Sequence, residues 1–324
     1  MRKFMKGCAI TALIFILLGL ILGVSGSLGN GSTHFSPGEI LSAVTLGRIS
    51  EEKVDDWSDG VTEQIRENMG DVHYDLEDKV DYDSDYEVKS GKIELYVLGD
   101  DSQGITDLQV QVGGCVMKIQ VSEDNCFRVE ADGMRKFQGY VEGGTMEICG
   151  TSKASNNSEG NLGGSICLYV PEGYYFENTS LDLGAGSLSV EELQTGALEA
   201  NVGAGKMPFE KLEADQAELD CGAGQMTVEE LSSRVAEVSV GMGSIRLTGD
   251  VTERLDGECS MGELKLTLAG AQTDFNYDLS CGMGELKVGD DSYNGLAQEK
   301  QINNNASKNM ELECAMGSVV VEFE

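Results

Sequence analysis

From Ala217 to Leu231 the chain reads AELDCGAGQMTVEEL, with small or apolar residues alternating as Ala217, Leu219, Cys221 and Ala223. The alternation resumes out of phase at Met226 and Val228. Period two is the pattern of a strand with one buried face. A phase slip across Gly222 and Gly224 is what a bulge or sharp bend produces, because glycine permits the backbone angles needed there. The unit thus predicts two short strands joined at a glycine corner. It recurs along the C-terminal half, with its last glycine at Gly186, Gly205, Gly224, Gly243, Gly262, Gly284 and Gly317. The first five are 19 residues apart, and the last two spacings are 22 and 33. Self-similarity near 20 residues marks stacked units, none of which can bury its own apolar face. The expected fold is all-β, a parallel β-solenoid of about 19–22-residue coils.

Columns across the repeat set the expected register. The position before each corner is Leu183, Val202, Cys221, Val240, Cys259, Cys281 and Cys314, all apolar and expected inside. The position within the corner is Ala185, Ala204, Ala223, Met242, Met261, Met283 and Met316, which suggests a core widening toward the C-terminus. An outward column, Asp182, Asn201, Asp220, Ser239, Glu258, Ser280 and Glu313, alternates acids with neutral residues. On strands about 4.8 Å apart, that alternation would roughly double the distance between like charges. Beyond the corner, Glu263 and Glu285 would be neighbours, as would Lys265 and Lys287, the two pairs neutralising each other diagonally. Upstream, KIELYVLG from Lys92, ITDLQVQVGGCVMKIQV and SICLYVPEGYYF alternate similarly without the clean corner, and read as irregular first coils. At the end of VVVEFE, Glu322 and Glu324 would blunt a terminal edge strand.

The first residues break this pattern. Arg2, Lys3 and Lys6 precede the apolar run Cys8–Val24, which is either a signal peptide or a signal anchor. Its length favours a retained transmembrane helix, with the rest of the chain exported. Ser36-Pro37-Gly38-Glu39 has the form of a capping box, and Val54, Trp57, Val61, Ile65 and Met69 recur at helical spacing. Asp71–Asp85 reads as acidic linker. The expected division is an anchor at 1–28, an acidic membrane-proximal helical segment at 29–92 and the repeat domain at 93–324.

Charge and composition then narrow the function. The chain has 56 acidic and 23 basic residues, a net charge of −33. Nucleic-acid binding is excluded, since phosphate contacts need clustered Lys and Arg. A polyanion is soluble and attracts cationic partners. The nine cysteines would make a disulfide framework in an ordinary exported protein. Here four share one inward column with Leu and Val and behave as small buried hydrophobes, while the pairing of Cys115, Cys126, Cys149 and Cys167 stays open. His34 and His73 are the two histidines, both in the acidic segment. There is no CxxC pair, HExxH or Cys/His ligand spacing, so no metal, cofactor or catalytic site is expected.

ICLYVPEGYYFENTSLDLGAGSLSVEEL, the following GAG and GMG units and the ending MELECAMGSVVVEF resemble a bacterial β-strand-repeat family called "putative adhesin", a domain family of unknown function. The resemblance covers about residues 93–324 and implies an envelope protein with no catalytic residues to transfer. The expected function is a noncatalytic, membrane-anchored envelope protein whose acidic face serves binding or adhesion. The expected partners are the membrane, through the N-terminal helix, and an envelope protein, cell-wall material or a cationic ligand. Some relatives imply envelope-stress regulation through a membrane partner as the alternative.

Overall fold

Period-two burial runs through the strands of the computed structural model, which describes residues 80–97, 104–123, 126–152, 163–293 and 297–324. Its N-terminal strands are β1 (Lys89–Val97), β2 (Asp107–Gly113), β3 (Cys115–Ser122), β4 (Phe127–Glu142), β5 (Thr145–Thr151) and β6 (Ser165–Pro171). The long β7 (Tyr175–Cys221) passes through two glycine corners, and β8 (Gln225–Val240), β9 (Ser244–Cys259) and β10 (Glu263–Leu268) follow. A short 3-10 turn at Gln272–Asp274 leads into β11 (Phe275–Cys281), β12 (Glu285–Val288), β13 (Asp291–Ser292), β14 (Gln298–Ile302), β15 (Lys308–Cys314) and β16 (Ser318–Phe323). All strands join one hydrogen-bonded network.

The all-β class holds, but the uniform parallel solenoid does not. β7 pairs with β2, then β5, β4, β6 and β3, and β3 pairs back to β7, so six strands close into a barrel. β4 runs antiparallel to β5, β6 and β1. It turns into β5 through Gly143 and Gly144, both at positive φ, so the upstream strands are not coils of the repeat. The expected transmembrane and acidic helices fall outside the described residues, apart from the end of the acidic segment. Among the described residues there is no α-helix, and no helix long and apolar enough to cross a membrane.

Parallel ladders carry the remainder. β7 pairs with β8 at a 19-residue offset (Lys206↔Gln225), β8 with β9, and β9 with β10. Then the chain departs from sequence order. The last strands insert between earlier ones: β16 lies between β10 and β12, and β15 between β9 and β11. Glu263 and Glu285 therefore both face Ser318 rather than each other, and Lys265 and Lys287 both face Val320. Like charges directly opposite on neighbouring strands are unfavourable, so the inserted strand removes two repulsions that sequence order would create. β16 is not an edge strand either, and Glu322 pairs with Lys265 at 3.3 Å.

The core is one continuous cluster of buried side chains from Ile93 to Val321. In the barrel, Phe127, Tyr174 and Phe176 pack with ring centroids 4.8 Å apart for Phe127–Tyr174 and 5.0 Å for Tyr174–Phe176. The segment before β1 is tied to this end. Buried Gln138 donates its amide to the Asp83 and Tyr86 carbonyls (2.7 and 2.9 Å) and accepts from the Asp83 N–H at 2.8 Å.

The corner column needs a second correction. Met242, Met261, Met283 and Met316 are 49, 37, 65 and 52% exposed, so they do not widen the core. Alternation fails through the bend: the chain swings outward there, and the space inside is taken by the residue two positions before each methionine. The thiols of Cys259, Cys281 and Cys314 point into it and donate to the carbonyls of Gly262, Gly284 and Gly317.

Candidate functional site: an acidic groove

In-register parallel strands turn a repeated sequence position into a straight row of side chains. Two positions before the outward column, Glu218 faces Glu237, Glu237 faces Asp256, Asp256 faces Glu311, and Glu311 faces Asp278. Glu199 continues the row one repeat earlier. Beside it runs the expected column, now ordered Asp220, Ser239, Glu258, Glu313 and Ser280. Its alternation breaks where β15 inserts, because Glu258 and Glu313 become direct partners.

Together the rows line two hollows. One, of about 420 Å³, is bounded by Glu218, Asp220, Glu237, Asp256, Glu258, Glu311 and Glu313, with Arg254 as the basic residue in its wall. The other, of about 540 Å³, shares Glu218 and Glu237 and extends past Glu199 to Asn178 and Asp107. Arg254 is engaged with Asp256, and Gln301 donates to Asp278 at 3.0 Å.

The electrostatics follow from crowding. Burial, then the charges of Asp220, Glu199 and Glu237, pushes the Glu218 carboxyl above its usual range. Asp220 is raised by burial and by Glu199 and Glu237, against a hydrogen bond from Ser239. Glu258 and Glu313 are raised by burial and by acids of both rows, including Glu311. A carboxylate raised in the folded state binds its proton more tightly there than in the unfolded chain. Stability therefore rises as pH falls through the raised values toward the ordinary carboxylate range near 4. The expected result is a higher Tm at pH 5 than at pH 7 in low salt. Replacing Glu218, Glu258 and Glu313 with Gln should flatten that slope; a Tm that falls steadily below pH 7 would contradict the crowding.

Other candidate chemistry does not assemble. Both histidines lie outside the described residues. Burial pushes the Cys115 and Cys149 thiols up to about 12, the opposite of an activated nucleophile. Among the described residues no group of three or more His, Cys, Asp or Glu is arranged to hold a metal ion. The row through Glu218 and Glu237 was not among the columns read from sequence. It was legible there, since Glu199, Glu218, Glu237 and Asp256 repeat at the 19-residue spacing of the corners.

Residues 105–297 match the family model described as Toastrack DUF4097. The chain belongs to this family. Similar solved structures include a "putative adhesin" from Bacteroides fragilis, 14% identical with a TM-score of 0.38, which spans 72% of this Toastrack chain and 97% of its own. A "putative cell adhesion protein" from Clostridium sporogenes is 12% identical with a TM-score of 0.29, covering 73% and 100%. A "putative lipid binding protein" from Parabacteroides distasonis is 15% identical with a TM-score of 0.35, covering 71% and 96%. No curated protein matches the Toastrack chain.

Proposed function

We propose that this Toastrack protein is a noncatalytic envelope protein that binds a cationic partner along its acidic groove. The observation that carries the reading is the row of carboxylates on adjacent strands, Glu218, Glu237, Asp256, Glu311 and Asp278. Such a row focuses a negative potential along a line, which suits an extended basic peptide or a polycationic wall component better than a compact ligand. The basic and apolar N-terminal run supports export, with the groove on the outer side of the cell membrane.

The test is binding of the full chain to fluorescent oligolysine at increasing salt. Affinity should fall at least about tenfold between 50 and 300 mM salt, as expected for several exposed charge contacts. A Glu218→Gln, Glu237→Gln, Glu311→Gln variant should lose a similar factor at low salt, with an unchanged circular dichroism spectrum. If that variant binds as tightly as the parent, the groove is not the binding surface. Pull-down from separated wall and membrane fractions then identifies the natural source of positive charge.

A further inference from the structure

Four exposed methionines stand in a line along one edge of the parallel ladders. In spatial order they are Met242, Met261, Met316 and Met283, each held by its backbone N–H to the neighbouring corner. The acceptors are the carbonyls of Gly222 (2.7 Å), Gly241 (2.9 Å), Ser260 (2.8 Å) and Ala315 (2.7 Å), respectively. These bonds set the residues at strand spacing, about 4.8 Å from one to the next. On either side in sequence stand only small residues: Gly241 and Gly243, Ser260 and Gly262, Ala315 and Gly317, Gly282 and Gly284. Nothing from its own corner covers a methionine's thioether. Earlier corners carry Ala185, Ala204 and Ala223 at the same position, so the methionines are confined to one end.

The geometry points to a binding track for a soft monovalent metal cation of the Cu(I) or Ag(I) class, held by thioethers from neighbouring strands. Thioether sulfur is a soft, uncharged ligand that favours Cu(I) over hard ions such as Mg²⁺ and Ca²⁺. Taking the zinc–thiolate bond of about 2.3 Å as a guide to metal–sulfur reach, two sulfurs on one metal stand about 4–4.6 Å apart. That is close to the strand spacing, and methionine's three rotatable bonds absorb the difference. The surplus of acidic residues on the chain draws cations to the surface without competing as a soft ligand. Buried beneath the ladder are Cys259, Cys314 and Cys281, 1–2% exposed and engaged with corner carbonyls. The thioethers are thus the accessible sulfurs of this edge. No Cys/His spacing signals such a site, and it stands independently of the acidic groove.

The test is a titration of the reduced full-length protein, labelled with [13C-methyl]methionine, with silver nitrate in chloride-free buffer. The methyl resonances of Met242, Met261, Met316 and Met283, assigned by single Met→Leu variants, should shift together and saturate. The Met261→Leu, Met316→Leu double variant should bind at least roughly tenfold more weakly at unchanged Tm. A Cys259→Ser, Cys314→Ser variant should still shift the four methyl signals. The proposal is overturned if those signals stay fixed while silver binds, or if the double methionine variant keeps the parent affinity.

Discussion

Gly224→Val unfolds the protein or costs more than about 4 kcal/mol, whereas Gln225→Val changes stability by less than about 1 kcal/mol. A Cβ at Gly224 would meet the Gly205 carbonyl oxygen at 2.5 Å, Val202 Cγ1 at 2.6 Å and the Gly205 nitrogen at 2.8 Å. Two of these atoms belong to the backbone of the neighbouring strand, which cannot turn aside like the end of a side chain. Gln225, half-buried and next in sequence, faces Lys206 and Ser244, where a branched apolar residue fits strand geometry. Gly222, on the other side of Ala223, has its nearest neighbour at 3.2 Å, so the corner's tolerance differs between its two glycines. Urea denaturation of the three proteins measures the difference. Equal losses at 224 and 225 would show that the corner does not pack backbone against backbone.

Phe127→Ala should cost about 3–5 kcal/mol, the range for removing a fully buried aromatic side chain. Phe127 is 0% exposed and its ring meets Tyr174 edge-on, which ties the start of β4 to the entry of β7. Because β4 and β7 are both members of the closed barrel, the loss should lower the denaturation midpoint of the whole domain rather than create a separate early transition. Val88→Ala, at a residue 43% exposed, serves as the control and should stay within about 0.5 kcal/mol. A Phe127 variant with the control's stability would remove the barrel as a structural unit.

The local chemistry of the corner was readable from the chain, because glycine spacing and alternation are set by neighbours in sequence. Two other features depend on partners distant in sequence. The barrel turns on β4 running antiparallel, and its signal, the Gly143–Gly144 pair between alternating runs, resembles the neighbouring coils in composition. The strand order past β10 was hidden because ELKL at 263–266 and ELKV at 285–288 are near duplicates, and pattern alone cannot say which follows the other in space. In the structure Ser318 and Val320 separate the two like-charged pairs, while the accompanying insertion of β15 sets Glu258 against Glu313, so charge alone does not fix the order. The acidic row needed only the repeat spacing applied two residues further from the corner. The methionines were misplaced because counting by twos was carried through a bend where the side-chain direction changes.

The insertion of β16 between β10 and β12 also gives the chain a timetable. A polypeptide that appears N-terminus first presents Glu285–Val288 before Ser318–Val321, yet the later segment occupies the berth beside β10. The earlier one must wait undocked, or dock in the wrong place and leave again. Glu263 against Glu285 and Lys265 against Lys287 would make that wrong berth uncomfortable, which leaves the slot beside β10 to the latecomer.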